Sequence, residues 1–285
     1  MTAEVTSEQQ QLHDFLKNPS VEQALERYSK AYDHDPIEVV IPDKLWVIQG
    51  RFHMMIMGSL SKAGFTYVTR TMVIAKDGDQ IVLINPFHLS EDGYKQIEAL
   101  GSVKCLLRTS PNHGGDAPAV VKRFPQAEYW IVDGITLPDG WTTLGVTTKT
   151  MSPANLPIEG AELLLVPGLF YTEGVLILPY GEGVLVTVDI LQNHNKGACA
   201  TKHNSYLMGV FMKAGGFQGK GRAGPAMVKS YSQFGKDPMD FLPAFFRILL
   251  EKRWSIFISG HGPALVDNAK ESVRATLTEQ FKVDI

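Results

Sequence analysis

Short apolar runs, bounded by Gly, Pro, Asp and Asn, recur along most of this chain, and stretches of helical spacing lie between them. Residues 38–41 and 45–48 read as the first strands. Residues 65–74 alternate apolar and polar side chains, the pattern of a long half-buried strand. Asp77-Gly78-Asp79 is a hairpin signal, with residues 80–84 as the returning strand. Ser90 then caps a helix over residues 91–100 that turns Tyr94, Ile97 and Leu100 inward, and Gly101 ends it. Residues 103–107 form a short buried strand, and Asp116 stands at the N-cap of a following helix. Residues 129–132 continue the series, and Pro138-Asp139-Gly140 reads as a turn. A second meander follows at 163–166, 175–178 and 184–188, with Gly181-Glu182-Gly183 between the last two. An amphipathic helix over 240–253, a last strand over 254–258 and a closing helix over 267–280 complete the chain. Strands followed by helices in each half predict an α/β protein, two mixed sheets packed face to face with helices outside, an αββα sandwich.

Residues 7–33 read differently. Asn18-Pro19-Ser20 separates two helices, and Ser20-Val21-Glu22-Gln23 resembles a capping box. Val21, Ala24, Leu25, Tyr28 and Tyr32 share one helical face. The expectation is a helical arm over residues 1–36, packed on the main domain (37–285) or on a second copy of the chain in a homodimer.

Composition narrows the function. The chain has 285 residues, 44% hydrophobic and 20% charged, which is ordinary for one large globular domain. A formal net charge of −3 does not suit a nucleic-acid binder, and no run is long enough to span a bilayer. With no apparent signal peptide, a cytoplasmic location is expected. Two cysteines make no disulfide framework: Cys105 falls in a predicted strand as a small core residue, and Cys199 in a polar loop. Residues 190–236 contain no Asp or Glu but carry Lys196, Lys202, Lys213, Lys220, Arg222, Lys229 and Lys236. This segment reads either as a solvated loop paired with acids elsewhere or as a cap that draws in an anionic substrate, with Lys220 and Arg222 as contacts. Gly219-Lys220-Gly221 lacks the spacing of a Walker loop.

The candidate chemistry sits at strand ends. Arg108, Ser110, Asn112 and His113 follow the strand at 103–107; Asp189 follows the strand at 184–188; and Gly260-His261-Gly262-Pro263 follows the last strand. Ligand sites of open α/β sheets collect at such carboxyl ends. The loop ending in His113-Gly114-Gly115, the strand ending at Asp189 and the Gly-His-Gly-Pro loop together resemble the metallo-β-lactamase fold superfamily over roughly residues 37–280. That family's loop reads His-x-His-x-Asp-His-x-Gly-Gly. The resemblance places Arg108 and Ser110 at the first two His positions, Asn112 at the Asp and His113 at the last His. Pro167-Gly168-Leu169 stands where the family has Pro-Gly-His, and Asn85 where it has a buttressing Asp. One half of a two-metal centre is therefore lost, and His113, Asp189 and His261 remain, with Asn112 as a weak oxygen ligand.

Two imidazoles and a carboxylate suit zinc, and they also match the set that holds non-haem iron. The resemblance implies a metal-dependent hydrolase acting on an anionic small molecule, with one divalent ion and with Asp189 and Arg108 at the reacting centre. Arg108 is expected to pair with Asp189 or to grip a substrate carboxylate or phosphate alongside Ser110. Two other readings stay open: a metal-free binding protein using the same cleft, and an iron-dependent redox enzyme. Asp116 is expected as a helix cap, or as a ligand if the loop register slips. His88 is placed at the surface or behind the site. His53, in the Met-rich stretch 51–57, lies in the core or on a pocket rim.

Overall fold

The computed structural model describes residues 30–53, 67–114, 116–137, 147–194, 210 and 212–285. The expected helical arm up to residue 29, the Met-rich stretch from Met54 onward, the turn expected at 138–140 and Cys199 lie outside these residues. Tyr32, assigned above to a helical face, is in irregular chain just before β1 and meets the Phe87 ring edge-on at 5.4 Å.

The first sheet has seven strands, side by side in chain order: β1 (Glu38–Ile41), β2 (Leu45–His53), β3 (Tyr67–Asp77), β4 (Gln80–Ile84), β5 (Ser102–Arg108), β6 (Glu128–Val132) and β7 (Thr148–Met151). β1 to β4 form an antiparallel meander, and β4 to β7 run parallel. The parallel steps require crossovers, supplied by α1 (Glu91–Glu98) and α2 (Ala117–Arg123). Ser90 caps α1 as its sequence predicts, its hydroxyl accepting from Gly93 N at 3.2 Å. The second sheet takes the order β13 (Ile256–Ser259), β10 (Val184–Thr187), β9 (Gly174–Leu178), β8 (Glu162–Leu165), with only β13 and β10 parallel. Behind it lie α3 (Pro225–Gln233), α4 (Leu242–Glu251) and α5 (Ala269–Phe281).

Strand periodicity explains the layering. Along β9 and β10, Leu176, Leu178, Val184 and Val186 face the first sheet, while Val175, Ile177 and Leu185 join the side chains of α4 and α5. Both faces of this sheet are covered, so its strands read as unbroken apolar runs rather than alternating ones. The αββα sandwich expected from the sequence is the fold observed. Among the described residues, no helix is long and apolar enough to cross a membrane.

The basic segment is more regular than its glycines suggest. β11 (Leu191–His194) pairs with β12 (Gly219–Ala223) in a two-stranded ribbon, and α3 follows. A Cβ on Gly219 or Gly221 would lie 3.0 or 2.3 Å from Thr276 or Val273 of α5, so this face of the ribbon packs closely on the closing helix.

Candidate metal centre

Three strand ends converge at one rim of the sandwich. β5 runs into a 3-10 turn, Pro111–His113, whose entry is fixed by Ser110: its hydroxyl accepts from Asn112 N at 3.3 Å. Asp189 lies just beyond β10, and His261 just beyond β13. Two backbone bridges hold the sheets together here, Thr71 N to Gly260 O at 2.9 Å and Gly174 N to Thr109 O at 2.7 Å. Gly262 has a φ of 91°, and a Cβ there would meet Asn193 O at 2.0 Å, so the Gly-His-Gly loop passes the ribbon at a distance that only glycine allows.

His113, Asp189 and His261 form a tight triangle. Their Nε2–Nε2 distance is 3.2 Å, His261 Nε2 lies 3.0 Å from Asp189 Oδ1, and His113 Nε2 lies 3.8 Å from the same oxygen. They form a group that could hold a metal ion, with ligand atoms all within 4.8 Å of one another. His261 Nδ1 lies 2.6 Å from Thr69 O, an obligate acceptor. That nitrogen therefore donates, and the neutral ring turns the Nε2 lone pair toward the triangle. A tetrahedral zinc with N and O ligands at about 2.0–2.1 Å sets them about 3.3–3.4 Å apart, and the three separations bracket that value. The donor set therefore fits a single small divalent ion.

The surroundings orient each group. Arg70, in the middle of β3, donates from Nη2 to His113 O at 2.8 Å and to Pro86 O at 3.2 Å. It also forms an ion pair of 3.0 Å with Asp116, the two side chains being 3% and 0% exposed. Asp116 Oδ2 accepts from His88 N at 2.6 Å. Glu173, fully buried, accepts from the backbone N–H groups of Asp189 and Ile190 at 3.0 and 2.8 Å. Asn85, at a φ of 51°, accepts from Thr109 N at 2.9 Å and so ties the end of β4 to the loop after β5.

Burial sets the charge states. It pushes His113 well below the usual imidazole value, with His261, Arg70 and Arg108 adding to the shift against the attraction of Asp189. For Asp189, burial acts upward, but the His113 and His261 imidazoles and the Asn112 amide outweigh it and keep the carboxyl ionised. Glu173 is driven well above the usual carboxylate range, first by burial and then by the Asp189 charge. The pair thus holds one carboxylate and one neutral acid.

Several expected roles are corrected by this geometry. Arg108 is only 2% exposed and turns into the protein, where Nε donates to Ser110 O at 3.0 Å and Nη2 donates to Pro111 O. It ties down the loop backbone instead of pairing with Asp189 or reaching a substrate. Ser110 is fully buried and serves as the turn cap. Asn112 presents its Nδ2 rather than an oxygen, donating to Asp189 Oδ2 at 3.1 Å and to Tyr171 Oη at 3.2 Å, so it steadies the carboxylate instead of ligating. Asp116 makes no side-chain cap bond and is the partner of Arg70. Lys220 is exposed and Arg222 half-buried on β12; their neighbours Gly219 and Gly221 face α5, and no described contact brings either cation to the triangle. His88 stacks on Tyr94 with centroids 6.2 Å apart.

Four contributors escaped the sequence reading: Arg70, Tyr171, Glu173 and His194. Arg70 had a signal, the one charged side chain in the predicted strand over residues 65–74. Glu173 directly precedes the apolar run of β9, a fainter one. His194 ends β11, within the basic segment. Its side chain is 3% exposed and lies against His261 with centroids 5.8 Å apart; burial and then His261 bring it down to about 3.

No protein-family model and no curated protein sequence matches this chain. Solved structures do. A metallo-beta-lactamase from Pontibacter korlensis is 15% identical, with a TM-score of 0.51 over 86% of this chain and 100% of its own. A metal-soaked Flv1 flavodiiron core from Synechocystis sp. PCC6803 is 14% identical, with a TM-score of 0.54 over 88% of this chain and 61% of its own. A fragment of a putative diflavin flavoprotein A 5 from Nostoc sp. PCC 7120 is 14% identical, with a TM-score of 0.53 over 89% of this chain and 97% of its own. The two-sheet topology and these likenesses together show that the chain has the metallo-β-lactamase fold.

Proposed function

We propose that this protein is a metal-dependent enzyme of hydrolase type that holds one divalent ion, zinc in the first instance, at His113, Asp189 and His261 and acts on an anionic small molecule. The observation that carries the reading is the triangle of ligand atoms at 3.0, 3.2 and 3.8 Å, with the His261 lone pair aimed into it. A bound ion of this kind supplies Lewis acidity and a water acidic enough to attack near neutral pH.

The chain's own groups do the rest. His261 is held in one tautomer by Thr69 O, and His113 is held in place through its carbonyl by Arg70. Glu173 fixes the backbone under Asp189, and Asn112 holds the second carboxylate oxygen. Asn112 is exposed while Asp189 is nearly buried, so substrate reaches the carboxylate past the Asn112 amide. That amide and the Tyr171 hydroxyl beside it flank the opening, the amide donating to Asp189 Oδ2 and Tyr171 Oη and the hydroxyl donating to Met227 Sδ. Neither is a base: Asn112 cannot take a proton, and burial, with the Asp189 charge adding to it, pushes Tyr171 well above its ordinary value.

The test is metal analysis of protein purified without chelator. About one ion per chain is expected, and less than about 0.2 per chain after reconstitution overturns the proposal. Iron is the second reading, because two imidazoles and a carboxylate are also an iron-binding set and one similar structure is a flavodiiron core. Iron in preference to zinc in that assay, with oxygen-dependent turnover, selects it.

A further inference from the structure

We infer that the site takes an anion that carries an aromatic ring, seated against Phe234 and Phe170. The inference rests on the proposed function and names the substrate class for it. Phe234 directly follows α3 and stacks on Phe170, with centroids 4.1 Å apart and an interplanar angle of 20°. Phe170 meets Tyr171 edge-on at 4.6 Å. Tyr171 Oη accepts from the Asn112 amide at 3.2 Å, and the same amide donates to Asp189 Oδ2 at 3.1 Å. An unbroken series of contacts therefore runs from Phe234, 39% exposed, to the carboxylate of the triangle. Asn112 is itself exposed, so both ends of this series reach the surface.

A single exposed apolar side chain needs no explanation. The position of this one does. It covers one side of Phe170 and continues a ladder that ends at the site, so a flat ligand meets a ring surface already in place. The wall is fixed from behind. Gly168, at a φ of 76°, would bring a Cβ within 2.8 Å of Phe241 and 2.9 Å of Tyr231, and the Tyr231 hydroxyl donates to Pro167 O at 2.5 Å. Charge lies beside the same wall: the exposed Lys236 ammonium donates to Gly168 O at 2.7 Å, two residues before Phe170. An aromatic carboxylate suits both features. Its ring stacks on Phe234, and its charge is met by the Lys236 ammonium two residues further on. An aliphatic anion gains only the second part.

The experiment is calorimetric titration of the full-length, zinc-loaded chain with 1-naphthoate and with acetate, after its zinc content has been measured. Naphthoate is expected to bind at least about tenfold more tightly than acetate, and Phe234→Ala to weaken naphthoate by about three- to tenfold while leaving acetate binding and zinc content unchanged. Phe234→Leu keeps the volume and loses the ring, so it should lower naphthoate affinity in a fully folded background. Equal affinity for the two anions in wild type, or unchanged naphthoate affinity in both variants, overturns the inference. Failure to take up zinc counts against the metal reading instead. The same pair of titrations on the zinc-free chain then decides the aromatic subsite alone, by the same comparison of wild type and Phe234→Leu.

Discussion

His113 Nε2 and His261 Nε2 face each other at 3.2 Å, and the His261 nitrogen lies a further 3.0 Å from Asp189 Oδ1. With His261 Nδ1 committed to Thr69 O, one proton on His113 can join the two rings. The His261 lone pair and the Asp189 oxygen then still face each other with no proton between them. A cation removes this conflict and joins the three groups at once, because all three atoms are ligands. His261→Ala or Asp189→Ala should therefore weaken zinc binding by at least about 100-fold in equilibrium dialysis, more than loss of a supporting group causes. Asn112→Ala, which removes only a donor to Asp189, should weaken it by no more than about tenfold. Equal losses in the three variants would show that the triangle is not the coordination set.

Arg70 and Asp116 give a stability prediction. Both are buried; Arg70 holds the His113 carbonyl, and Asp116 holds the backbone N–H of His88. Removing one partner leaves the other charge uncompensated, so Asp116→Ala should destabilise the fold by about 3–5 kcal/mol in urea denaturation. Arg70→Met combined with Asp116→Leu should recover part of that loss, as replaced buried pairs often do. Zinc affinity should stay low in the double variant, because the bond from Arg70 to His113 O is still missing.

The sandwich was legible because its signals are local. Ser90 caps one helix, Gly78 sits in a tight turn with a φ of 62°, and β9 and β10 are short apolar runs fenced by turn residues. The triangle was legible for a different reason: the loop at His113, the strand ending at Asp189 and the Gly-His-Gly-Pro loop at His261 together resemble the motifs of one fold superfamily. The ribbon of β11 and β12 was not, since Gly219-Lys220-Gly221-Arg222 has poor strand propensity and is held by packing on α5. The direction of Arg108 was not legible either. A guanidinium at a ligand position can turn toward the site or away from it, and the choice was made by the Ser110 and Pro111 carbonyls, whose direction is set by the folded loop and not by any residue pattern. Arg70 and Asp116 are 46 residues apart in sequence, and no periodicity links them.

Two buried histidines make stability sensitive to acid. Burial lowers His194 to about 3, and lowers His113 well below its usual value. In the unfolded chain both protonate near pH 6.5. Between pH 6.5 and about 3 the unfolded state thus binds more protons than the folded state, and stability falls as pH falls; above pH 6.5 this contribution is complete and constant. Each group adds a slope of up to about 1.4 kcal/mol per pH unit. Urea denaturation at pH 4.5–7 in the presence of a chelator, which removes metal release from the balance, should show the decline. His194→Gln should reduce the slope by about one proton. An unchanged slope in that variant would mean that His194 is charged in the folded protein.

Gly114 and Arg108 should be energetically coupled. A Cβ on Gly114 would lie 2.1 Å from both Arg108 Cζ and Nε, so a glycine at this position is required by the buried guanidinium rather than by its own backbone, whose φ is −136°. Gly114→Ala alone must displace a side chain held by Ser110 O and Pro111 O, with an expected cost of about 1–3 kcal/mol. Arg108→Ala alone leaves those carbonyls without donors and opens a cavity, which should cost about 2–5 kcal/mol. In the double variant the added methyl enters space that the arginine has vacated, so the sum of the single losses should exceed the measured loss by about 1 kcal/mol or more. Strict additivity in urea denaturation would remove Arg108 from beneath this glycine. If Arg108 instead paired with Asp189, as its place in the loop suggests, Arg108→Ala would change zinc affinity strongly and would show no coupling to Gly114.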